Sequence, residues 1–541
     1  MKATKIMDPK DNLQTQLSFE ILTDTDDTAR LVMQWRNDQD TRSNSFNQKE
    51  RTWPEFRSEF SQRYFGESLL PGYFILLNGE RVGLLGFHRS AALNGLQTAT
   101  VSINLAPERR AKGLGTAALK AVTPLLRAHG IQCLSAEVMA NNEASQKAFA
   151  RAGYVFLKEY EKKLSAPLAE ANSAKVHLLI NDISQSFSLA GRIIGEGQPC
   201  FIIAEAGSNW KIGNDAKENK EMARKLINVA KESGADAVKF QTFKAKSTYV
   251  SNAGDSDYLR QSGEVRNVFD LIKDLEMPYE LVLELAEYAR TSEITFLTTA
   301  FSVDDLKAID SCVPMHKIAS YENSHLRLLE AAAATGKPLI MSTGASPLDE
   351  IDWSVAHFRK HSNAPLCLMQ CTAAYPAPTT ALNLRTIPSL RSRYDCLVGL
   401  SDHSRDPLNA PLMALALGAS CLEKHFTLDN QLPGPDHRYA IEPHELRKMV
   451  AAIRSAEEAL GDGFKQVAQE EEELFKFAKR SLQALVEIKP GDIIEEDKNV
   501  GILRPGSMSK GIHPRHFEEV MGRAVKKKVA AGAGLSFDDL Q

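Results

Sequence analysis

Nothing in the spacing of the cysteines pairs them. The seven, at 133, 200, 312, 367, 371, 396 and 421, include no Cys-x-x-Cys, and the nearest two are Cys367 and Cys371. An odd, unpatterned set excludes a disulfide framework and a zinc cage and points to reduced, buried thiols. No run reaches the ~18 apolar residues of a membrane-spanning helix. The opening MKATKIMDPKDNLQTQL has no apolar core, so it does not read as a secretory signal. Neither sign of charge dominates: 65 Lys plus Arg face 69 Asp plus Glu, for a net charge of -4. That balance gives no electrostatic reason for a nucleic-acid partner. Low-complexity tracts are also missing. What remains, at 43% hydrophobic and 25% charged, is a globular composition. At about 100–200 residues per domain, 541 residues make roughly three domains. The expectation is a cytoplasmic protein with neither membrane nor nucleic acid as partner.

Three zones separate along the chain. Residues 16–164 alternate strand-like and helix-like runs; 165–185, small and polar with one apolar interruption, read as a linker. Residues 186–462 repeat a strand-then-helix unit, and after the charged run QEEEE (469–473) a small strand-rich module covers 478–541. In the middle zone short apolar, β-branched runs recur at 201–207, 236–243, 294–301, 315–322, 338–344, 365–372, 396–403 and 421–428. Amphipathic stretches such as KEMARKLINVAKES (220–233) lie between most of them. Eight such units over about 250 residues predict an α/β fold, a (β/α)8 TIM barrel, with a doubly wound open sheet as the alternative.

These runs begin apolar and end polar: Glu205; Lys239 and Gln241; Thr299; Lys317, Ser320 and Glu322; Ser342; Thr372; Ser401 and His403; Lys424 and His425. Polar residues also mark where any strand meets solvent. In a barrel, however, all the carboxyl ends converge on one face, and Lys and Glu are rarely set in apolar runs unless paired. Two lysines among hydroxyls make an anion site for phosphate and carboxylate. Two imidazoles on adjacent strands, His403 and His425, suit a divalent cation with open positions, Mn²⁺ or Mg²⁺ ahead of structural zinc.

In order, FIIAEAGSN, AVKFQTF, KIASYE, STGAS, CTAAYPAP, GLSDHS, EKHFTLD and LPGPDH resemble the sialic acid (nonulosonic acid) synthase family. KRSLQALVEIKPGDII and LRPGSMSKGIHP resemble the antifreeze-like (SAF) domain those enzymes carry. The resemblance, from about residue 186 to the end, implies condensation of phosphoenolpyruvate with an N-acylated amino sugar. By motif it places Lys239, Thr299, Lys317, Ser320, Ser342 and Ser401 on phosphoenolpyruvate, and Gln241, Phe301, Tyr375 and Asp436 on the sugar. Glu205 and Glu322 are its candidate catalytic carboxylates, alongside Lys239 and Lys317, and His403 and His425 its metal ligands. It also implies a homodimer in which the SAF domain enters the partner's barrel, with Arg504 touching the sugar's acyl group. The chain departs from the family at Asn209-Trp210, where Asn-His is usual. It departs again at Thr298-Thr299-Ala300-Phe301, where Ser-Thr-Pro-Phe is usual, and at Ala373, where some members have Asn. These changes bear on which sugar is used.

In the first zone a strand leads into Arg110-Ala111-Lys112-Gly113-Leu114-Gly115 and then a helix. Glycines at such a turn expose backbone N–H groups to a pyrophosphate, and Arg110 can add charge, although a plain glycine turn has the same appearance. The sequel, AEVMANNEASQKAFARAGYVF with Asn142, together with LVMQWRNDQDTR, resembles the GNAT acetyltransferases over residues 16–164. That resemblance implies acetyl-CoA bound by Arg110, Gly113, Leu114, Gly115 and Asn142. Phe149 stands where a proton-donating tyrosine is common. The leading expectation is a two-enzyme chain, acetylating an amino sugar or its nucleotide and extending a sugar by three carbons. The alternatives are a synthase with a non-catalytic GNAT-like module, and a metal-free aldolase working through a Schiff base on Lys239 or Lys317.

Overall fold

Seven strands form the N-terminal sheet: β1 (Leu17–Ile21), β2 (Tyr73–Leu77), β3 (Glu80–Leu93), β4 (Leu96–Leu105), β5 (Cys133–Met139), β6 (Val155–Lys163) and β7 (Ser173–Asp182). The computed structural model describes residues 16–65, 70–93, 96–164, 173–255, 266–461 and 467–541 and falls into two units, 1–463 and 464–541. The sheet order is β1-β2-β3-β4-β5-β7-β6. Its pairings are antiparallel except β4 with β5, which run parallel and pair only at Thr98–Thr100 with Cys133–Ser135. Beyond that short contact Val101, Ser102 and Ile103 part from Glu137, Val138 and Met139, and a cavity of about 270 Å³ opens between them.

Strand β7 corrects the linker expected at 165–185. Residues 173–182 pair antiparallel with both β5 and β6, and Val176 and Leu179 are buried. The apolar run VHLLI, read as an interruption of a polar segment, is the part that carries the structure. Residues 165–172 lie outside the described residues. The N-terminal sheet therefore ends only a few residues before the next hairpin, β8 (Ser186–Leu189) with β9 (Arg192–Gly195). Across this junction Arg127 pairs with both carboxylate oxygens of Asp395, and Gln185 Nε2 donates to the Asp395 carbonyl at 2.7 Å.

The eight expected strands are all present: β10 (Phe201–Gly207), β11 (Ala237–Thr242), β12 (Thr295–Ala300), β13 (His316–Ile318), β14 (Leu339–Ser342), β15 (Leu366–Cys371), β16 (Leu397–Asp402) and β17 (Cys421–His425). They are parallel, and β10 pairs with β17 to close a barrel rather than leave an open sheet. Side chains alternate along each strand, so every second residue points inward. At the amino-terminal end these are apolar: Phe201, Ile203, Ala237, Leu297, Ile340 and Cys421 cluster with Phe187, Leu189 and Ile194 of the β8–β9 hairpin, which plugs that end. The helices between strands bury their apolar faces against the outside of the barrel. No helix among the described residues is long and apolar enough to cross a membrane.

The second unit pairs β18 (Ser481–Ala484) antiparallel with β19 (Val500–Leu503) over a core that includes Leu482, Ile488, Val500, Val525 and Leu535.

Barrel closure leaves no room at Gly399 in β16, where a Cβ would stand 2.5 Å from the Cys421 carbonyl oxygen. That neighbour is backbone and cannot turn aside. Gly399→Ala should cost about 1–3 kcal/mol, read as a fall in the urea unfolding midpoint. An unchanged midpoint would mean that β16 and β17 part freely.

Candidate active sites

Two residues above the apolar layer, the same inward faces turn polar. Phe201 and Ile203 lead to Glu205, Ala237 to Lys239, Leu297 to Thr299, Met315 to Lys317, Ile340 to Ser342 and Cys421 to Glu423. All six polar residues are buried. Glu205 and Lys239 are register partners, and Glu205 Oε2 lies 2.6 Å from Lys239 Nζ. Lys239 Nζ donates to Thr299 Oγ1 at 2.9 Å, and Gln241 Nε2 donates to Glu205 Oε1 at 3.0 Å. Lys317 Nζ donates to Ser342 Oγ at 2.7 Å. Glu423 bridges the two halves: its Oε1 is 3.7 Å from Lys239 Nζ and its Oε2 is 3.9 Å from Lys317 Nζ. Ser401 Oγ donates to Glu423 Oε1 at 3.1 Å.

The two carboxyls of this network are driven apart. Burial pushes Glu205 up to about 7, against the pull of Lys239. Burial acts upward on Glu423 as well, but the two ammoniums outweigh it and hold that carboxyl at about 2. Burial opposes the charge of Lys239, yet Glu205 and Glu423 keep it above its usual value. At Lys317 burial wins and the value falls. Carboxyls separated in this way take different roles, one a fixed anion and one a group that exchanges a proton near neutrality.

Beside the network stand the imidazoles. His403 and His425 have ring centroids 5.4 Å apart. Burial, then His425, lowers His403 to about 3; burial, then Lys239, lowers His425 to about 3. Both rings are therefore neutral and carry a lone pair. His403 Nδ1 donates to the Thr372 carbonyl at 3.0 Å, while Nε2 has the Cys371 thiol 3.9 Å away. His425 Nδ1 faces the Tyr439 hydroxyl at 3.3 Å, and that hydroxyl donates to Asp436 Oδ1 at 2.9 Å. Anchoring Nδ1 leaves each Nε2 lone pair for an ion, the outer-shell arrangement of metal-bound histidines. Two such rings with oxygen neighbours fit a divalent cation. Tyr375 stacks on His403 at 4.2 Å. Ser208 Oγ donates to Asp436 Oδ2 at 3.1 Å. Between the two groups Gly207 has φ +52, and a Cβ there would meet Asp436 Oδ2 at 3.0 Å and Glu205 Oε1 at 3.2 Å.

Glu205, Lys239, Gln241, Thr299, Lys317, Ser342 and Ser401 thus share one network, with Tyr375, Asp436 and both histidines adjoining it. Ser320 Oγ lies at its edge, accepting the Gly344 N–H at 3.0 Å. Phe301 packs edge-on against Phe243 at 5.4 Å. Glu322 stands apart: among the described residues no hydrogen bond or ion pair joins it to the network, and burial, with Asp305 adding, pushes its carboxyl up to about 7. Lys424 points the other way, its Nζ 2.7 Å from Asp402 Oδ2. Glu423, Cys371 and Tyr439 were missed by sequence reasoning. For Glu423 the signal was present, since in Cys-Leu-Glu-Lys-His alternation puts it on the face of His425. Arg504 follows β19 in the second unit and is exposed.

In the N-terminal sheet, Gly113 has φ +78 and helix Leu114–Ala121 begins without a side-chain cap, so its first N–H groups are open to an anion. Arg110 does not add free charge at this loop. Its guanidinium is held by Asp38 Oδ2 and Thr41 Oγ1, both at 2.6 Å. Asn142 caps helix Glu143–Arg151 by accepting the Ser145 N–H at 3.1 Å. The cavity between β4 and β5 is lined by Arg36, Arg63, Tyr64, Glu137, Asn142 and Phe149. Arg36 Nη2 donates to Tyr64 OH at 2.9 Å, and Glu137 is held by Tyr160 and Lys162.

Comparison with known proteins agrees with this layout. Residues 226–465 match the NeuB family model, 17–155 the acetyltransferase (GNAT) domain and 479–541 the SAF domain. The spore coat polysaccharide biosynthesis protein SpsE of Bacillus subtilis is 37% identical over 372 residues, 66% of this chain and 97% of that protein. The N,N'-diacetyllegionaminic acid synthase of Campylobacter jejuni is 35% identical over 60% of this chain and 96% of its own length. Among solved structures, the N-acetylneuraminic acid synthetase of Leptospira borgpetersenii is 33% identical, covering 54% of this chain and 95% of that chain at a TM-score of 0.47.

Because Glu423 compensates two buried ammoniums, Glu423→Gln should lower unfolding free energy by about 3–5 kcal/mol. Adding Lys239→Met should recover part of the loss. Additive losses in chemical denaturation would show that the pair is not coupled.

Proposed function

The chain belongs to the NeuB family and carries GNAT and SAF domains, and from that premise we propose that it is a two-enzyme protein of nonulosonic acid biosynthesis. Its barrel condenses phosphoenolpyruvate with an N-acylated amino sugar in its open aldehyde form, giving a nine-carbon 2-keto sugar acid and phosphate. The observation that carries this reading is the pairing, in one pocket, of two buried ammoniums among hydroxyls with two neutral, Nδ1-anchored imidazoles.

Lys239 and Lys317, with Thr299, Ser320, Ser342 and Ser401, bind the phosphate and carboxylate of the enol ester. Gln241, Phe301, Tyr375 and Asp436 face the sugar, and Glu322 is the second candidate carboxylate for proton movement. C3 of the enol attacks the aldehyde carbon. Water adds at C2, Glu205 takes its proton, and the bond from C2 to the ester oxygen breaks to release phosphate. Glu423 stays anionic and steadies the positive character that develops at C2. His403 and His425 would hold a divalent ion, Mn²⁺ or Mg²⁺, which supplies Lewis acidity toward the aldehyde oxygen. A homodimer, with Arg504 of the SAF domain reaching the acyl group in the partner's barrel, completes the proposed site.

The N-terminal domain transfers acetyl from acetyl-CoA to an amino sugar. The pyrophosphate rests on the N–H groups of Gly113, Leu114 and Gly115, with Asn142 nearby and Arg110 bracing the loop. Arg36 and Arg63 in the acceptor cavity favour a nucleotide-linked sugar over a free one. A second reading, a module that binds acetyl-CoA without turnover, is favoured by Phe149, which lines the cavity with no proton to give. Calorimetric binding without acetyl transfer to UDP-4-amino-sugars would decide for it.

With phosphoenolpyruvate, Mn²⁺ and a panel of acylated hexosamines, mass spectrometry should show a nine-carbon keto acid and one phosphate per product. His403→Ala should abolish that product and leave acetyl transfer unchanged. Unimpaired condensation in His403→Ala would overturn the assignment.

A further inference from the structure

On the outer layer of the barrel, helix Leu348–His361 carries Trp353, His357 and His361 at successive intervals of four, one stripe on a helix. Phe358, between the two histidines in sequence, is buried in the barrel core, so the stripe flanks the buried face. The neighbouring helix Leu326–Thr335 brings Glu330 to it. One ligand atom from each of Glu330, His357 and His361 lies within 4.8 Å of the others.

The local hydrogen bonds leave these atoms ready for an ion. His361 Nδ1 donates to the His357 carbonyl at 2.9 Å, which puts the lone pair on Nε2, as the outer shell of a bound metal does. His357 Nε2 is buried without a hydrogen-bond partner and lies 3.5 Å from Glu330 Oε1. Trp353 stacks on the His357 ring at 5.4 Å and 16°, fixing its plane. Arg327 Nη1 donates to Glu330 Oε2 at 2.6 Å, leaving Oε1 on the side of the histidine. That bond also keeps the Glu330 carboxyl below its usual value. Tetrahedral ligands bonded at about 2.0–2.1 Å stand roughly 3.3 Å apart. His361 is exposed, so its side chain has room to turn and close the difference.

We propose that His357, His361 and Glu330 form a second metal site, separate from the mouth of the barrel, which takes a zinc-class divalent cation with water in the remaining position. Two imidazoles and one carboxylate select Zn²⁺, Ni²⁺ or Cu²⁺ over Mg²⁺ and Mn²⁺. The ion ties together the helices that follow β13 and β14, the strands that carry Lys317 and Ser342.

The test uses the full-length chain carrying His403→Ala, which silences the mouth. After exposure to ZnCl₂ and gel filtration, elemental analysis should find one equivalent of Zn²⁺ per chain, lost when His361→Ala is added. Glu330→Gln should weaken Zn²⁺ retention at least about tenfold. With the mouth intact and Mn²⁺ supplied, His361→Ala alone should condense at the wild-type rate. Equal zinc in the two chains, or none in either, would mean that the cluster is an ion pair only and would overturn the proposal.

Discussion

The charges inside the barrel can exist only in one another's company. Moving a single carboxylate or ammonium into a dry interior costs on the order of 20 kcal/mol before relaxation. Glu205, Lys239, Lys317 and Glu423 are all at or near zero exposure, so each depends on the others for its solvation. The same requirement fixes the order of strands. Lys239 must neighbour Glu205 across one ladder and approach Glu423 across the barrel, and only closure of β10 on β17 brings both about. An open sheet would leave β10 and β17 at opposite edges and strand the network in two halves.

What lies beneath the network matters as much. The β8–β9 hairpin seals the amino-terminal end with Phe187, Leu189 and Ile194, so water reaches the polar layer from one side only. A low effective dielectric strengthens every pair above it and keeps both histidines neutral. The hairpin follows directly on β7, and Asp395 receives both Arg127 and Gln185. The N-terminal sheet is thereby bound to the barrel near the seal.

The barrel was legible because parallel strands covered on both faces read as unbroken apolar runs, and all eight runs carry a strand. Most of the site was legible for the same reason, since polar residues ending such runs have one place to go. The misses have physical causes. Strand β7 lies between β5 and β6 in a sheet solvated in part, so its apolar core is short and its flanks are small and polar. Glu423 and Lys424 are adjacent and both charged, and only the two-residue alternation fixed by Cys421 and His425 tells the inward one from the outward one. The orientation of Arg110 depends on Asp38 and Thr41, far away in sequence. The union of Glu330 with His357 and His361 rests on how two helices pack, which no local pattern encodes.

The unequal lysines bear on the chemistry. A Schiff base needs a neutral amine, and Lys239 is held charged by Glu205 and Glu423. Burial does lower Lys317, which alone would favour a nucleophilic amine. Yet its Nζ donates to Ser342 Oγ and to the Ile318 carbonyl, the posture of a donor awaiting an acceptor. An arriving phosphate would place negative charge beside Lys317, favour its ammonium form and stabilise binding in proportion. Glu205, poised near neutrality by burial, stays the group that takes the proton of water. A network with one fixed anion, one fixed cation and two adjustable groups answers an anionic substrate by moving protons, which is the behaviour of an enol-ester synthase and not of an imine-forming aldolase.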